Sequence, residues 1–165
     1  MNASSTMVAA TEGRREGAVL RQLVTFTLGG EEYGVDIMKV QEIIRLQNIT
    51  RVPQMPGFIE GVLNLRGNVI PVIDLRKRFN LALTEQTAHT RIVVINVSGR
   101  TLGVIVDAVS EVMRLSDDQI EPPPQVISGI GHEYLEGVGK VQGRLIILLD
   151  LDKILSTHEK LQLTS

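Results

Sequence analysis

The sequence predicts a mainly β fold of two small, fused, five-stranded barrels. Three observations carry that prediction: an internal duplication, short alternating apolar runs that reverse at glycines, and a nearly all-apolar last strand in each copy. Gly30 to Leu46 aligns with Gly99 to Leu115 without a gap. Seven of the 17 positions are identical: Gly30/Gly99, Gly34/Gly103, Val35/Val104, Val40/Val109, Glu42/Glu111, Arg45/Arg114 and Leu46/Leu115. Ordinary composition would give roughly one. Ile59 to Phe79 aligns in the same order with Leu135 to Leu155, sharing Glu60/Glu136, Gly61/Gly137, Val62/Val138, Gly67/Gly143, Asp74/Asp150, Leu75/Leu151 and Lys77/Lys153. Between the blocks, Ser116 to Tyr134 replaces the shorter Gln47 to Phe58, an insertion of the kind that loops tolerate.

Each element follows from local pattern. Val24 to Leu28 alternates Val, Thr, Phe, Thr, Leu; Gly29 and Gly30 supply the positive-φ positions of a hairpin turn, and Tyr33 to Ile37 returns. Ile92 to Val97, a turn at Ser98-Gly99 and Leu102 to Val106 repeat that hairpin. Val40 to Leu46 and Val109 to Leu115 are rich in β-branched residues and read as strands, each preceded by a link with room for one helical turn. A proline-bearing connector follows in each copy, Val52-Pro53-Gln54-Met55-Pro56 or Pro122-Pro123-Pro124. It leads into a hairpin that turns at Arg66-Gly67-Asn68 or Gln142-Gly143-Arg144. The return arm, Val69 to Ile73 or Leu145 to Leu149, is almost wholly apolar, as in a strand covered on both faces.

Five strands per copy suit a closed barrel, because closure removes the edges that an open sheet would present. Asp74 and Asp152 are placed to begin helices. The second runs from about Lys153 to Gln162, with Ile154, Leu155 and Leu161 at packing intervals. Residues 1–19, rich in Ala, Ser, Thr, Gly, Glu and Arg, read as a disordered tail. Residues 20–155 read as one domain of two interlocked barrels, roughly 20–85 and 88–155, and 156–165 as the end of the helix and a tail.

Composition narrows the function. A chain of 165 residues buries about 70% of its unfolded surface and needs no staples. It has no cysteine, which excludes disulfides, thiolate nucleophiles and zinc–cysteine sites and fits a reducing, cytoplasmic setting. A net charge of -2 with 3 Phe, 2 Tyr and no Trp offers neither the basic stripe nor the stacking platform that nucleic acids need. No stretch has the length of a signal or membrane-spanning segment. His89, His132 and His158 are far apart and lack ligand spacing, so no metal is assigned. Gly137-Val138-Gly139-Lys140 is followed by Val141, not Ser or Thr, and reads as strand glycine and not as a phosphate loop. No catalytic residue and no cofactor is assigned.

Comparison of the copies therefore becomes the functional probe. Glu42 is matched by Glu111, but Arg66 is matched by Gln142, so only the first copy offers a Glu and an Arg at these stations, placed to pair. The plainer reading is two separate solvated charges or a surface ion pair of little energetic consequence. Barrels this small cannot bury every Val and Ile of such dense runs, which leaves apolar surface for a protein partner.

Two stretches, Phe26-Thr-Leu-Gly-Gly-Glu-Glu-Tyr-Gly-Val-Asp-Ile-Met-Lys-Val-Gln-Glu-Ile44 and Gly61-Val-Leu-Asn-Leu-Arg-Gly-Asn-Val-Ile-Pro-Val-Ile-Asp-Leu75, resemble the CheW family of bacterial chemotaxis coupling proteins. The resemblance runs from about Gln22 to Leu155 and includes Gly103 to Val112 and Leu115 to Ile120. It implies two SH3-like barrels in a non-enzymatic adaptor, a monomer when free. The adaptor would link the cytoplasmic tip of methyl-accepting chemoreceptors to the regulatory domain of the histidine kinase CheA in receptor arrays at the inner membrane. It implies a receptor-binding set of Val40, Glu42, Gly61, Arg66, Gly103, Val109 and Val112, with Val24 and Ile37 on the kinase side. Two rivals stand beside it. One is a regulatory fragment of a CheA-type kinase or a coupling protein fused to a receiver, for which the length leaves little room. The other is a small-ligand-binding barrel or hydrolase, which would need a polar-lined cavity.

Overall fold

The structure is a computed structural model that describes residues 20–123, 134–156 and 159. In chain order its strands are β1 (Leu20–Leu28), β2 (Glu31–Asp36), β3 (Val40–Arg45), β4 (Gly61–Leu65), β5 (Asn68–Asp74), β6 (Arg91–Val97), β7 (Arg100–Val106), β8 (Ala108–Ser116), β9 (Ile120–Glu121), β10 (Leu135–Val141) and β11 (Arg144–Leu149). One α-helical turn, α1 (Leu75–Arg78), follows β5. The strands form two sheets, in the orders β8-β1-β2-β11-β10-β9 and β3-β6-β7-β5-β4. The β2–β11 and β5–β7 pairs are parallel, and the other strand pairs are antiparallel. The fold is mainly β, as the sequence predicts.

All four hairpins turn as the glycines require. The central residues lie at positive φ in every case: Gly29 (62°) and Gly30 (86°), Arg66 (52°) and Gly67 (87°), Ser98 (53°) and Gly99 (81°), Gln142 (50°) and Gly143 (79°). This is the type I′ geometry whose twist matches that of the flanking strands. Where the first turn residue is not glycine, an Asn two positions earlier braces two of the turns. Asn64 Oδ1 accepts the Gly67 N–H at 2.8 Å, and Asn96 Oδ1 accepts that of Gly99 at 3.0 Å.

The repeats and the sheets are not the same units. The five-stranded sheet is contiguous in the chain, residues 40–106, and is inserted between β2 and β8 of the six-stranded one. The expected division at 20–85 and 88–155 therefore describes the duplication; its boundary falls inside the five-stranded sheet, between β5 and β6. Each repeat gives its first hairpin to one sheet and its remaining strands to the other. The exchanged hairpins place β6, β7 and β11 between two apolar layers.

Alternation then fills three cores. Along β6, Val93, Ile95 and Val97 enter a central core between the sheets, while Ile92 and Val94 turn into the inner core of the five-stranded sheet with Leu63, Ile70, Val72 and Ile105. Along β11, Ile147 and Leu149 join the central core, and Ile146 and Leu148 join Leu23, Met113 and Leu115 inside the six-stranded sheet. Repeat-equivalent glycines serve the inner cores. A Cβ on Gly34 would lie 3.1 Å from Ile146, and one on Gly103 would lie 2.8 Å from Ile92.

Two expectations need correction. The link before β3 does form a 3-10 turn, Ile37–Lys39, capped by Asp36 Oδ1 accepting from the Met38 N–H at 2.9 Å. The corresponding link before β8 is the single residue Asp107, with no helical turn; its main chain is held instead, its N–H donating to Thr27 O at 3.1 Å. Asp74 caps α1 as expected, but the later turn is capped by Asp150, not Asp152. It is a 3-10 turn, Leu151–Lys153, with Asp150 Oδ1 accepting the Asp152 N–H at 3.0 Å. The capping station is the one the duplication marks, Asp74/Asp150. The helix expected as far as Gln162 lies largely outside the described residues, as does the 1–19 tail.

Gly103→Ala tests the inner-core packing. With Ile92 held by the central strand, the added methyl group has nowhere to go, and a loss of about 1–3 kcal/mol is expected, read as a lower thermal midpoint. An unchanged midpoint would show that Gly103 is not a packing position.

Candidate protein-interaction site

Glu42 and Arg66 meet. Arg66 Nη2 donates to Glu42 Oε1 at 2.8 Å, and Nη1 donates to Oε2, so the guanidinium and carboxylate interlock in bidentate fashion. The local sequence explains the reach. A bulge at Gln41 shifts the β3–β6 register between Val40↔Ile95 and Glu42↔Val94, and Arg66 is the first turn residue at the tip of the β4–β5 hairpin. The Arg66 side chain remains well exposed while that of Glu42 is three-quarters covered. The hydrogen bond from Arg66 holds the Glu42 carboxyl below the usual range for a glutamate.

The second copy also pairs its glutamate, through a residue that the sequence comparison passed over. Glu111 Oε2 accepts from Arg144 Nη2 at 3.1 Å, and the same guanidinium is gripped by Glu32, with Nη2–Oε2 at 2.7 Å and Nε–Oε1 at 3.0 Å. These carboxylates, Glu32 foremost, raise the Arg144 pKa above the ordinary arginine value. Arg144 aligns with Asn68, not with Arg66, and Glu32 comes from the opposite repeat, so position-by-position matching could not find them. The available signal was the cation two residues beyond Gln142, just past the turn glycine. The bulge recurs at the equivalent place, Ser110, between Thr25↔Glu111 and Phe26↔Val109. The buried Thr25 hydroxyl fastens it by donating to Glu111 O at 3.1 Å and accepting from Glu111 N–H at 3.2 Å.

The remaining candidates separate by burial. Val40 and Val109, equivalent residues on β3 and β8, are half-buried against the central core. Val112 is 57% exposed. Gly61 and Gly103 are buried and work through packing; a Cβ on Gly61 would lie 2.6 Å from both Ile49 Cγ2 and Thr50 O, where Thr50 bridges to Val62. Ile37 is half-buried on the link between the sheets. Val24 is 2% exposed and belongs to the central core, opposite Val112 in the β1–β8 register. The structure thus gathers Val40, Glu42 and Arg66 around one sheet and Val109 and Val112 on the edge strand of the other, with the central core between them.

The inner faces of both sheets are packed with aliphatic side chains among the described residues, where the small-ligand reading needs polar groups. An open groove of about 490 Å³ runs between β8 and the β10–β11 turn. Among the described residues no group of three His, Cys, Asp or Glu side chains is placed to hold a metal. No helix among them is long and apolar enough to cross a membrane.

The bidentate pair predicts a pH signature. A glutamate whose folded pKa is lowered contributes stabilisation that is present above its ordinary range and is lost as pH falls through the lowered value. In an NMR titration the Glu42 carboxyl of the parent chain therefore titrates at lower pH than in Arg66→Ala; equal midpoints would mean that the pair does not persist in solution.

The sequence profile of the CheW-like domain matches residues 22–159. The chemotaxis protein CheW of Klebsiella aerogenes is 42% identical over 151 residues, which is 91% of each chain. That of Treponema pallidum is 42% identical over 144 residues, 84% of each. Among solved structures, the scaffolding protein CheW of Thermoanaerobacter tengcongensis superposes with a TM-score of 0.79 at 39% identity, over 86% of this chain and 96% of that one. The fold, the duplicated hairpins and these matches along nearly the whole length agree: the chain belongs to the CheW family of chemotaxis proteins.

Proposed function

We propose that this chain is a non-enzymatic adaptor that couples the cytoplasmic tip of chemoreceptors to the histidine kinase CheA. The observation that carries the reading is family membership along nearly its whole length. The geometry supports it with a rim of exposed charge set beside half-buried valines and with tightly filled interiors.

On this reading a helical receptor tip lies against β3 and β8. Val40, Val109 and Val112 receive its apolar side chains, while Glu42 and Arg66 fix its register. Gly61 and Gly103 shape the strands beneath. Ile37, on the link between sheets, faces the kinase side, and Val24 supports it from within by holding β1 to β8. The chain works in the cytoplasm, is recruited to receptor arrays at the inner membrane and is a monomer when free. No bond is made or broken. Receptor conformation shifts the population of active kinase through contacts that the adaptor bridges, each weak alone and strengthened by the multivalent array.

Kinase autophosphorylation with CheA and receptor-containing membranes, with and without this chain, tests the proposal. Strong activation that depends on the chain is expected, and Arg66→Ala should lose most of it while keeping the parent thermal midpoint, since an exposed ion pair orients a partner more than it stabilises a fold. Absence of binding to either partner would overturn the adaptor reading.

A further inference from the structure

We propose that Arg114 makes the adaptor selective for partner helices carrying a carboxylate one turn from an apolar residue, and that the exposed face of β8 bearing Val112 and Arg114 is where this pair is read. The proposal rests on the reading that a helical receptor tip docks on this side, and adds the chemistry that the tip must present.

In the first copy Arg66 spans from the hairpin tip to Glu42. In the second, Gln142 stands at that station and Arg144, just past the turn, pairs with Glu111 on β8 and with Glu32, beside the open groove of about 490 Å³ between β8 and the β10–β11 turn. Met113 and Val141 pack from the groove into the inner core, while Val112 and Arg114, on either side of Met113 in β8, alternate to the opposite face, where Val112 is 57% exposed.

Its charges are uneven. Three charged residues border it: Glu111, Arg144 and Arg114. The first two are paired with each other, and Glu32 takes the rest of Arg144. Arg114 has no carboxylate partner among the described residues. Its register neighbour across β1 is Gln22, and the acidic groups nearest to it in the sequence have other partners, Glu111 with Arg144, Asp117 with Arg21 and Asp118 with Ser116. The exposed face of β8 therefore presents one unmatched positive charge beside one exposed apolar side chain, with Gln22 across from Arg114 on β1.

Spacing identifies the ligand. Val112 and Arg114 are two apart on a strand, hence on one face and about 6.6 Å apart along it. Residues four apart on a helix are stacked on one face with a rise of about 6 Å. A helix lying along β8 thus sets an apolar side chain on Val112 and an Asp or Glu one turn away on Arg114, where the guanidinium accepts a carboxylate in bidentate geometry.

The test uses the full chain and titrates it with a purified receptor cytoplasmic fragment and, separately, with CheA. Arg114→Glu should weaken receptor binding about tenfold or more, the scale of one charge-assisted hydrogen-bonded pair, and flatten its salt dependence. Arg114→Gln, which keeps shape without charge, should lose several-fold. Arg45→Glu, the same change at the repeat-equivalent position, which does not line the groove, should bind the receptor as the parent does, and CheA binding should be unchanged in all three. Receptor binding that is indifferent to both Arg114 variants overturns the proposal, as does an equal loss in Arg45→Glu or a parallel loss of CheA binding. If the parent chain does not bind the receptor fragment, the adaptor reading falls and takes this inference with it. Parental binding with indifferent Arg114 variants removes this inference alone.

Discussion

Burial of β6, β7 and β11 between apolar layers on both faces is the constraint from which the rest of the structure follows. A strand with Val93 and Ile95 on one face and Ile92 and Val94 on the other has no solvent side, so the chain must supply an inner layer and an outer one. Exchanging the first hairpins does this and makes the central core the largest of the three. The two chain crossings this requires, at Ile37–Lys39 and Asp107, are each tied to the turn that ends a fifth strand. Lys39 Nζ pairs with Asp152 at 3.0 Å, and Asp107 pairs with Arg76, with Nε–Oδ1 at 2.8 Å. Asp107 also accepts the Gly29 N–H at 2.9 Å, so a single carboxylate touches the turn of one sheet and the helix of the other.

Those ties show how the two copies diverged while keeping one plan. The turn stations Arg76 and Asp152 are equivalent but opposite in charge, and each crossing offers the matching sign: Lys39 on the first meets Asp152, and Asp107 on the second, one station earlier, meets Arg76. The reversal keeps each latch with its own partner, since Lys39 opposite Arg76 or Asp107 opposite Asp152 would repel. The same logic holds at the rim. Both glutamates after the bulges are paired, but one through Arg66 at a turn tip and the other through Arg144 just beyond it. The pair is kept in both copies while its cation moves from the turn residue to the residue just beyond the turn glycine.

How much of this was legible in the sequence depends on whether the determinant was local. Turn glycines, alternation and the Asp74/Asp150 caps are set within a few residues, and they appear where pattern reading places them. The Glu42–Arg66 pair was also legible, because the duplication isolated the one copy in which both residues occur. Hairpin exchange was not, since a swapped and an unswapped pairing bury the same residues and differ only in which repeat provides the neighbour. Arg144 was missed for a related reason: its partners Glu32 and Glu111 lie on strands brought together by the exchange. Val24 was assigned to a surface by resemblance, but the alternation that starts at Leu23 sends it into the central core beside Phe26 and Leu28.

An adaptor gains from separating what holds it together from what it recognises. Here the folding energy resides in apolar layers and in latches at the crossings, whereas Glu42, Arg66, Val112 and Arg114 stand on edge strands and a hairpin tip, outside the central core. A fold stabilised at its centre tolerates changes at those positions without unfolding, because exposed charges contribute little to stability. They remain able to orient a partner, because the strands that carry them are held by bulges, by bidentate pairing and by the Thr25 clasp on Glu111. Rigid backbone under variable side chains allows one scaffold to be retuned to different helical tips, and the difference between Arg66 and Gln142 at equivalent stations is the kind of change through which such retuning proceeds.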